Sequence, residues 1–281
     1  MKRLVWNHSV QALCFAMFMV CGIISVSYAS VDELYVYGTV ESFTWREFDA
    51  GERAVMESGP LFGIGLAYFH ESEGHITFTP RGEIFFGSVD YDGHACSTDP
   101  ITLQQTCQPA TATVGYLGLT FDGDIGFRFK LKKSSFIEPF GGLGLRTWRR
   151  DIKNGTAADG SATAGYIEDW STVNFRLGVR GGVDLSKSTQ MFAEAGVNLP
   201  LYNVNTAYVS DIGLGPDVTI HPGKQASFFA ETGVTINRVK ASVFYDGLRF
   251  SQSSPVSNGM FVFFQPQSSM DVYGIRLGVI F

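Results

Sequence analysis

The chain is poor in what soluble enzymes and nucleic-acid binders are usually built from. Only 17% of its 281 residues are charged, and 27 acidic residues outnumber 21 basic ones. A net charge of -6 with no basic stripe excludes the electrostatic footprint of a nucleic-acid binder. There are only five histidines, and His70, His75, His94 and His221 show no metal-ligand spacing. None of these four is followed by Ser, so a His-Ser pair for acyl transfer is missing too. Beyond residue 29 no run reaches the 18 apolar residues that a membrane-spanning helix needs, so no spanning helix is expected. Glycine and aromatics are abundant instead, with 32 Gly, 24 Phe and 11 Tyr. That balance suits strands that alternate between lipid and a polar interior.

The first residues read as an export signal. Lys2 and Arg3 precede the apolar run from Val10 to Val26, and Ser27-Tyr28-Ala29 offers small residues to a signal peptidase. A cleaved leader over 1–29 is expected, with a single domain over 30–281. Losing Lys2 and Arg3 takes the net charge from -6 to -8.

The other end carries the most informative pattern. Tyr273, Ile275, Leu277, Val279 and Phe281 occupy one parity, and Gly274, Arg276, Gly278 and Ile280 the other. A period of two with one apolar face and one small or charged face is what a membrane-spanning strand requires. The same alternation recurs near 33–45, 59–71, 75–89, 113–131, 136–150, 168–185, 189–203, 224–237, 239–251 and 268–281. Asp122-Gly123-Asp124 has the composition of a turn, but parity runs through it unbroken, so 113–131 reads as one strand. Short links at 72–74, 132–135, 186–188 and 237–238 alternate with long ones at 46–58, 90–112, 151–167, 204–223 and 252–267. The fold expected is all-β: an antiparallel up-and-down transmembrane β-barrel of about ten strands. A further hairpin near Ile212–Ile220 would make twelve, and a misread first pair would leave eight.

A terminal aromatic on the apolar face, with Tyr273 and Leu277 behind Phe281, resembles the assembly signal of Gram-negative outer-membrane β-barrels. Phe192-Ala193-Glu194-Ala195-Gly196-Val197 is echoed by Phe229-Ala230-Glu231-Thr232-Gly233-Val234, and more loosely by Phe136-Ile137-Glu138-Pro139-Phe140-Gly141. The stretch Phe136 to Leu145 resembles OmpA-like and opacity-type barrels. This resemblance rests on pattern over most of the mature chain. It implies an outer-membrane location, contact with outer-membrane lipid and lipopolysaccharide, and delivery by the barrel-assembly machinery. It implies no activity.

Parity points Glu41, Glu83, Glu138, Glu194, Glu231 and Asp246 inward, beside Arg81, Arg128, Lys130, Arg146, Arg176, Arg180, Lys240 and Arg276. Charges removed from bulk water persist mainly when paired, so a network centred on Glu138, Arg176, Arg180, Glu194, Glu231 and Arg276 is expected to fill the lumen. The alternative is a narrow path for ions or small solutes.

Chemistry-bearing clusters are thin. Asp90-Tyr91-Asp92 with His94 resembles the paired aspartates and Asp/His pair of omptin proteases, but no Asp-x-His stands on a facing segment. Cys96 and Cys107 fall in the expected second outer loop, where pairing is the ordinary outcome in an oxidising compartment. The segment 251–269 has no charge yet contains Met260-Phe261-Val262-Phe263-Phe264, making Phe261, Phe263 and Phe264 candidate surface contacts. Neither a cofactor nor a metal is expected. The reading is a non-enzymatic structural or surface-interaction protein with a largely plugged lumen. A narrow channel and an omptin-like surface hydrolase are the alternatives.

Overall fold

The computed structural model describes residues 31–98, 105–132 and 134–281; the expected leader over 1–29 lies outside them. Ten long strands form the wall: β1 (Val31–Asp49), β2 (Glu52–Glu71), β3 (Ile76–Thr98), β4 (Gln105–Phe127), β5 (Ser135–Ile152), β6 (Ile167–Asp184), β7 (Thr189–Ala207), β8 (Ser227–Ile236), β9 (Val239–Ser251) and β10 (Gln267–Ile280). Each pairs antiparallel with its sequence neighbours, and β1 also pairs with β10, from Tyr35 opposite Ile280 to Phe48 opposite Gln267. The sheet is therefore a closed ten-stranded barrel without a free edge. Among the described residues no helix is long and apolar enough to cross a membrane, which says nothing of a β-barrel.

The period of two is kept throughout. On β1, Leu34, Val36 and Val40 are exposed, while Tyr35, Tyr37, Thr39, Glu41, Phe43, Trp45 and Glu47 are buried inside. Parity also survives at Asp122-Gly123-Asp124, which pairs with β3 and β5 without a turn. β4 breaks only at Arg128 and resumes over Phe129–Lys132.

Two expected long links are strand instead. The segment 46–58 is the paired top of β1 and β2, turned by Ala50-Gly51, whose φ values of 49° and 86° match a two-residue primed hairpin turn. Likewise 90–112 is largely ladder, with β3 and β4 in register up to Thr98 opposite Gln105. The 204–223 segment adds no further pair of wall strands: Val218–Ile220 folds back antiparallel on the end of β7, and Gly223–Gln225 pairs with the end of β9.

These extensions set the shape. About 9–11 residues of tilted strand span a bilayer, and β3 and β4 have 23 each. On β1 the outer face changes from Leu34, Val36 and Val40 to Ser42, Thr44 and Arg46 partway up. The upper wall thus stands clear of lipid, on the side of the long connections. Long connections of bacterial barrels face outward and short turns face the periplasm.

Candidate functional site: the filled lumen and the outer mouth

Inward side chains stack in layers. At the end of the short turns Arg128 bridges Glu71 at 3.2 Å and Glu138 at 2.8 Å. Arg180 joins Glu138 at 3.0 Å and Glu194 at 2.9 Å. Arg276 and Arg81 both hold Glu231, at 2.5 and 3.1 Å, and Ser242 Oγ donates to its other oxygen at 2.7 Å. Arg176 behaves differently from expectation. It pairs with Asp122 and Asp124 on β4, at 3.4 and 3.3 Å, and not with Glu138 or Glu194. Several guanidinium groups also lie over aromatic faces, Arg128 on Phe136 at 3.9 Å, Arg176 on Phe229 at 4.1 Å and Arg276 on Phe244 at 4.4 Å. A cation over a ring keeps part of its stabilisation where water is scarce. Glycine makes room for such rings: a Cβ on Gly65 would run into Tyr37.

Against this network lies a cavity of about 70 Å³, lined by Arg81, Arg176, Glu231 and Arg276 as well as by Glu41, Glu83, Arg146, Asn174 and Asp246. Oxygens of Glu41, Glu83 and Asn174 and the Nε of Arg146 lack a hydrogen-bond partner, although Glu83 lies 3.5 Å from Arg276 as an ion pair. A polar cavity with unsatisfied groups suits a few buried waters.

Next comes an apolar plug. Phe43, Trp45, Leu61, Phe85, Val89, Val114, Tyr116, Trp148, Trp170, Leu248, Phe250, Met270 and Val272 form one buried cluster inside the barrel. Trp148 and Trp170 stack at 5.4 Å, and Trp45 meets Trp170 edge-on at 5.1 Å. Ring pairs at these separations attract each other beyond what their buried area contributes.

A second ionic centre roofs the plug. Arg150 is in contact with Glu57, donates to Glu168 at 2.9 Å and lies 3.5 Å from Glu47. Tyr116 Oη donates to Glu57 at 2.5 Å, Trp45 Nε1 to Glu47 at 2.9 Å and Trp170 Nε1 to Glu168 at 2.8 Å. All four charged residues are buried. Hydrogen-bond saturation is what lets three carboxylates gather round one guanidinium. Gln265 reaches down from the last outer connection to Glu47 at 3.2 Å, tying that loop to the roof.

The outer connections then pack on each other. Ala207, Val209, Val218 and Ile220 form a small core joined by Tyr166, Leu214 and Phe263. Tyr208 Oη donates to Asp169 at 2.9 Å, and burial with this bond pushes its pKa up to about 12. Asn258 Nδ2 donates to the carbonyls of Leu214 and Pro216, at 2.7 and 2.9 Å. The three candidate phenylalanines therefore separate. Phe261 and Phe264 are exposed beside Met260 and Val262, whereas Phe263 packs inward on the loop core.

The other sequence candidates fall as follows. Cys96 stands directly opposite Cys107 in the β3–β4 ladder, and Cys107 is disulfide-bonded. Tyr273, Leu277 and Phe281 all point to the lipid side, and the Phe281 amide donates to the Leu34 carbonyl at 2.8 Å. Asp90, Asp92 and His94 sit on the outer surface of β3, pointing away from the barrel mouth. Asp92 meets Arg53 at 3.4 Å, and His94 Nδ1 lies 3.1 Å from the Ala54 carbonyl. Among the described residues no group of three acidic, His or Cys side chains is arranged to hold a metal.

Comparison with known proteins speaks to the fold. Neither a family model nor a curated protein matches the sequence. Among solved structures, the outer membrane protease OmpT from Escherichia coli aligns over 92% of this chain and 99% of its own, at 12% identity and a TM-score of 0.57. This is the fold of an outer-membrane β-barrel. The translocator domain of the autotransporter NalP from Neisseria meningitidis aligns over 99% of both chains at 12% identity, with a TM-score of 0.39.

The roof is scarcely legible in the sequence. Glu47 and Glu57 fall in the expected link 46–58, and Arg150 and Glu168 stand at the ends of expected strands. The available signal was weak: Trp45 and Glu47, and Glu168 and Trp170, share parity along their strands.

Proposed function

We propose that the protein is a non-enzymatic structural and surface-interaction barrel of the outer membrane, working through its outer loops. The observation that carries this reading is the filled interior, with ionic, aromatic and ionic layers in succession beneath packed loops. A wall that rises above lipid and ends in exposed Met260, Phe261, Val262 and Phe264 supports a contact role at the cell surface. Cleavage of the leader, recognition of Phe281 by the assembly machinery, pairing of Cys96 with Cys107 and kinship with OmpA-like or opacity-type barrels belong to the same proposal.

Planar-bilayer recording of the refolded protein tests it. The expectation is no steady single-channel current. A stable, large current would replace this reading with the narrow channel. Peptide cleavage abolished by Asp90→Asn would replace it with a surface hydrolase.

A further inference from the structure

On the outer wall, where β9, β10 and β1 adjoin, side chains of different character are stacked by register. Val243, Ile275 and Val40 form one row, and Tyr245, Tyr273 and Ser42 the next. Gly247, Asp271 and Thr44 follow, and then Arg249, Ser269 and Arg46. The lowest row is apolar and more than half exposed, at 53%, 60% and 55%. The two tyrosine rings lie 4.9 Å apart, where an interfacial aromatic girdle belongs. Immediately above, two guanidinium groups share one carboxylate: Arg46 meets Asp271 at 2.9 Å and Arg249 meets it at 2.5 Å.

The two arginines are not equivalent. Arg249 is pinned by the carbonyls of Leu248 and Met270, at 2.8 Å each, and by Tyr245 Oη at 3.1 Å. Arg46 makes only the Asp271 hydrogen bond among the described residues, and its side chain is 36% exposed. One positive charge is thus left over, on a fork with free donors, two rows above the tyrosine pair. Other outer arginines are matched one to one, Arg149 by Asp169 at 2.8 Å and Arg53 by Asp92 at 3.4 Å.

We propose that Arg46, framed by Asp271, Arg249 and Tyr245, binds the phosphorylated headgroup of an outer-leaflet lipid. A guanidinium fork matches phosphate oxygens in geometry as well as charge. Below the tyrosine pair, the apolar row of Val243, Ile275 and Val40 gives the same lipid's chains a surface, which free phosphate would not use. The chain's net charge of -6 offers dissolved phosphate no general attraction.

The test uses the full chain in nanodiscs of neutral phospholipid doped with bisphosphorylated lipid A or with the same lipid stripped of phosphate. Wild type is expected to bind the phosphorylated form preferentially, and Arg46→Gln to lose roughly fivefold of that preference, the usual effect of one cation at an anionic surface. Arg46→Lys, which keeps the charge but not the fork, should retain only part of it, and Arg53→Gln all of it. Equal binding of both lipids by wild type, an unchanged preference in Arg46→Gln, or displacement of the lipid by millimolar inorganic phosphate would overturn the proposal. Should Arg46→Gln fail to assemble, native mass spectrometry of wild type decides. Retention of the phosphorylated form supports the site, and indifferent retention of both forms refutes it.

Discussion

Arg150 and Glu57 lie on strands three apart in the wall, yet their side chains meet inside it, with Nε donating to Oε1 at 2.9 Å. The bond closes the roof over the tryptophan cluster and draws β2 and β5 together across the lumen.

Replacing Arg150 with Met would leave Glu47, Glu57 and Glu168 buried around an apolar side chain. Breaking a buried ion pair from one side costs about 3–5 kcal/mol. Chemical unfolding followed by fluorescence should show a loss of that size, because Trp45, Trp148 and Trp170 report directly on the plug. A change below about 1 kcal/mol would mean that the three carboxylates are satisfied without the guanidinium.

What the sequence disclosed follows the solvent on each side of the wall. Where lipid lies outside and polar groups inside, alternation is strong, so ten strands, their facing and the Glu138–Arg180–Glu194 chain were all legible. Above the bilayer the contrast inverts. Arg46 faces out while Phe43 and Trp45 face in, and the apolar-out pattern disappears. The tops of β1 and β2 therefore read as a loop, the more so because Ala50-Gly51 lacks the Asn or Asp that usually marks such turns. The partners of Arg176 were hidden for another reason. Its reach depends on stagger between strands, which parity alone does not give.

Deleting Phe281 is expected to lower the amount of inserted barrel while synthesis and export continue. The residue ends the lipid-facing row of β10 and is 71% exposed, so its loss removes little packing. Heat-modifiable mobility of membrane fractions measures this. Normal insertion would show that the terminal aromatic is dispensable.

Phe263→Ser should loosen the outer loops, because it leaves a gap against Val209, Val218 and Ile220. Phe261→Ser and Phe264→Ser should leave the loops intact and weaken surface contact alone. Protease shaving of whole cells separates the cases: new cleavage within 208–226 is expected for the first variant only. Similar cleavage in all three would mean that the exposed pair also holds the loops.

Whole-cell thiol labelling should find Cys96 and Cys107 unreactive until a reductant is added, and reactive afterwards without opening the outer membrane. On the chain-entropy estimate a ring of this size restrains the unfolded chain by roughly 2–3 kcal/mol. Labelling that needs a permeabilised membrane would invert the topology.

Tyr208 sets an alkaline limit for the outer loops. Its folded pKa is raised to about 12 by burial and by the bond to Asp169, from an ordinary value of 10.0. The unfolded chain therefore releases this proton first, so the stabilisation is complete below pH 10 and is lost as pH rises toward 12. Loop protection from protease should fall through that window in wild type and fall less in Tyr208→Phe. Identical profiles would assign the loss to another group.

Closure of β1 onto β10 has a consequence for how the molecule comes into being. Tyr35 finds its ladder partner at Ile280, at nearly the full length of the chain, so the first strand waits for the last. Until then both strands offer unpaired backbone, and contacts this remote in sequence form slowly. A chain interrupted before β10 lacks the strand that closes this ladder. Truncated copies should be cleared by periplasmic proteolysis and should not accumulate in the membrane.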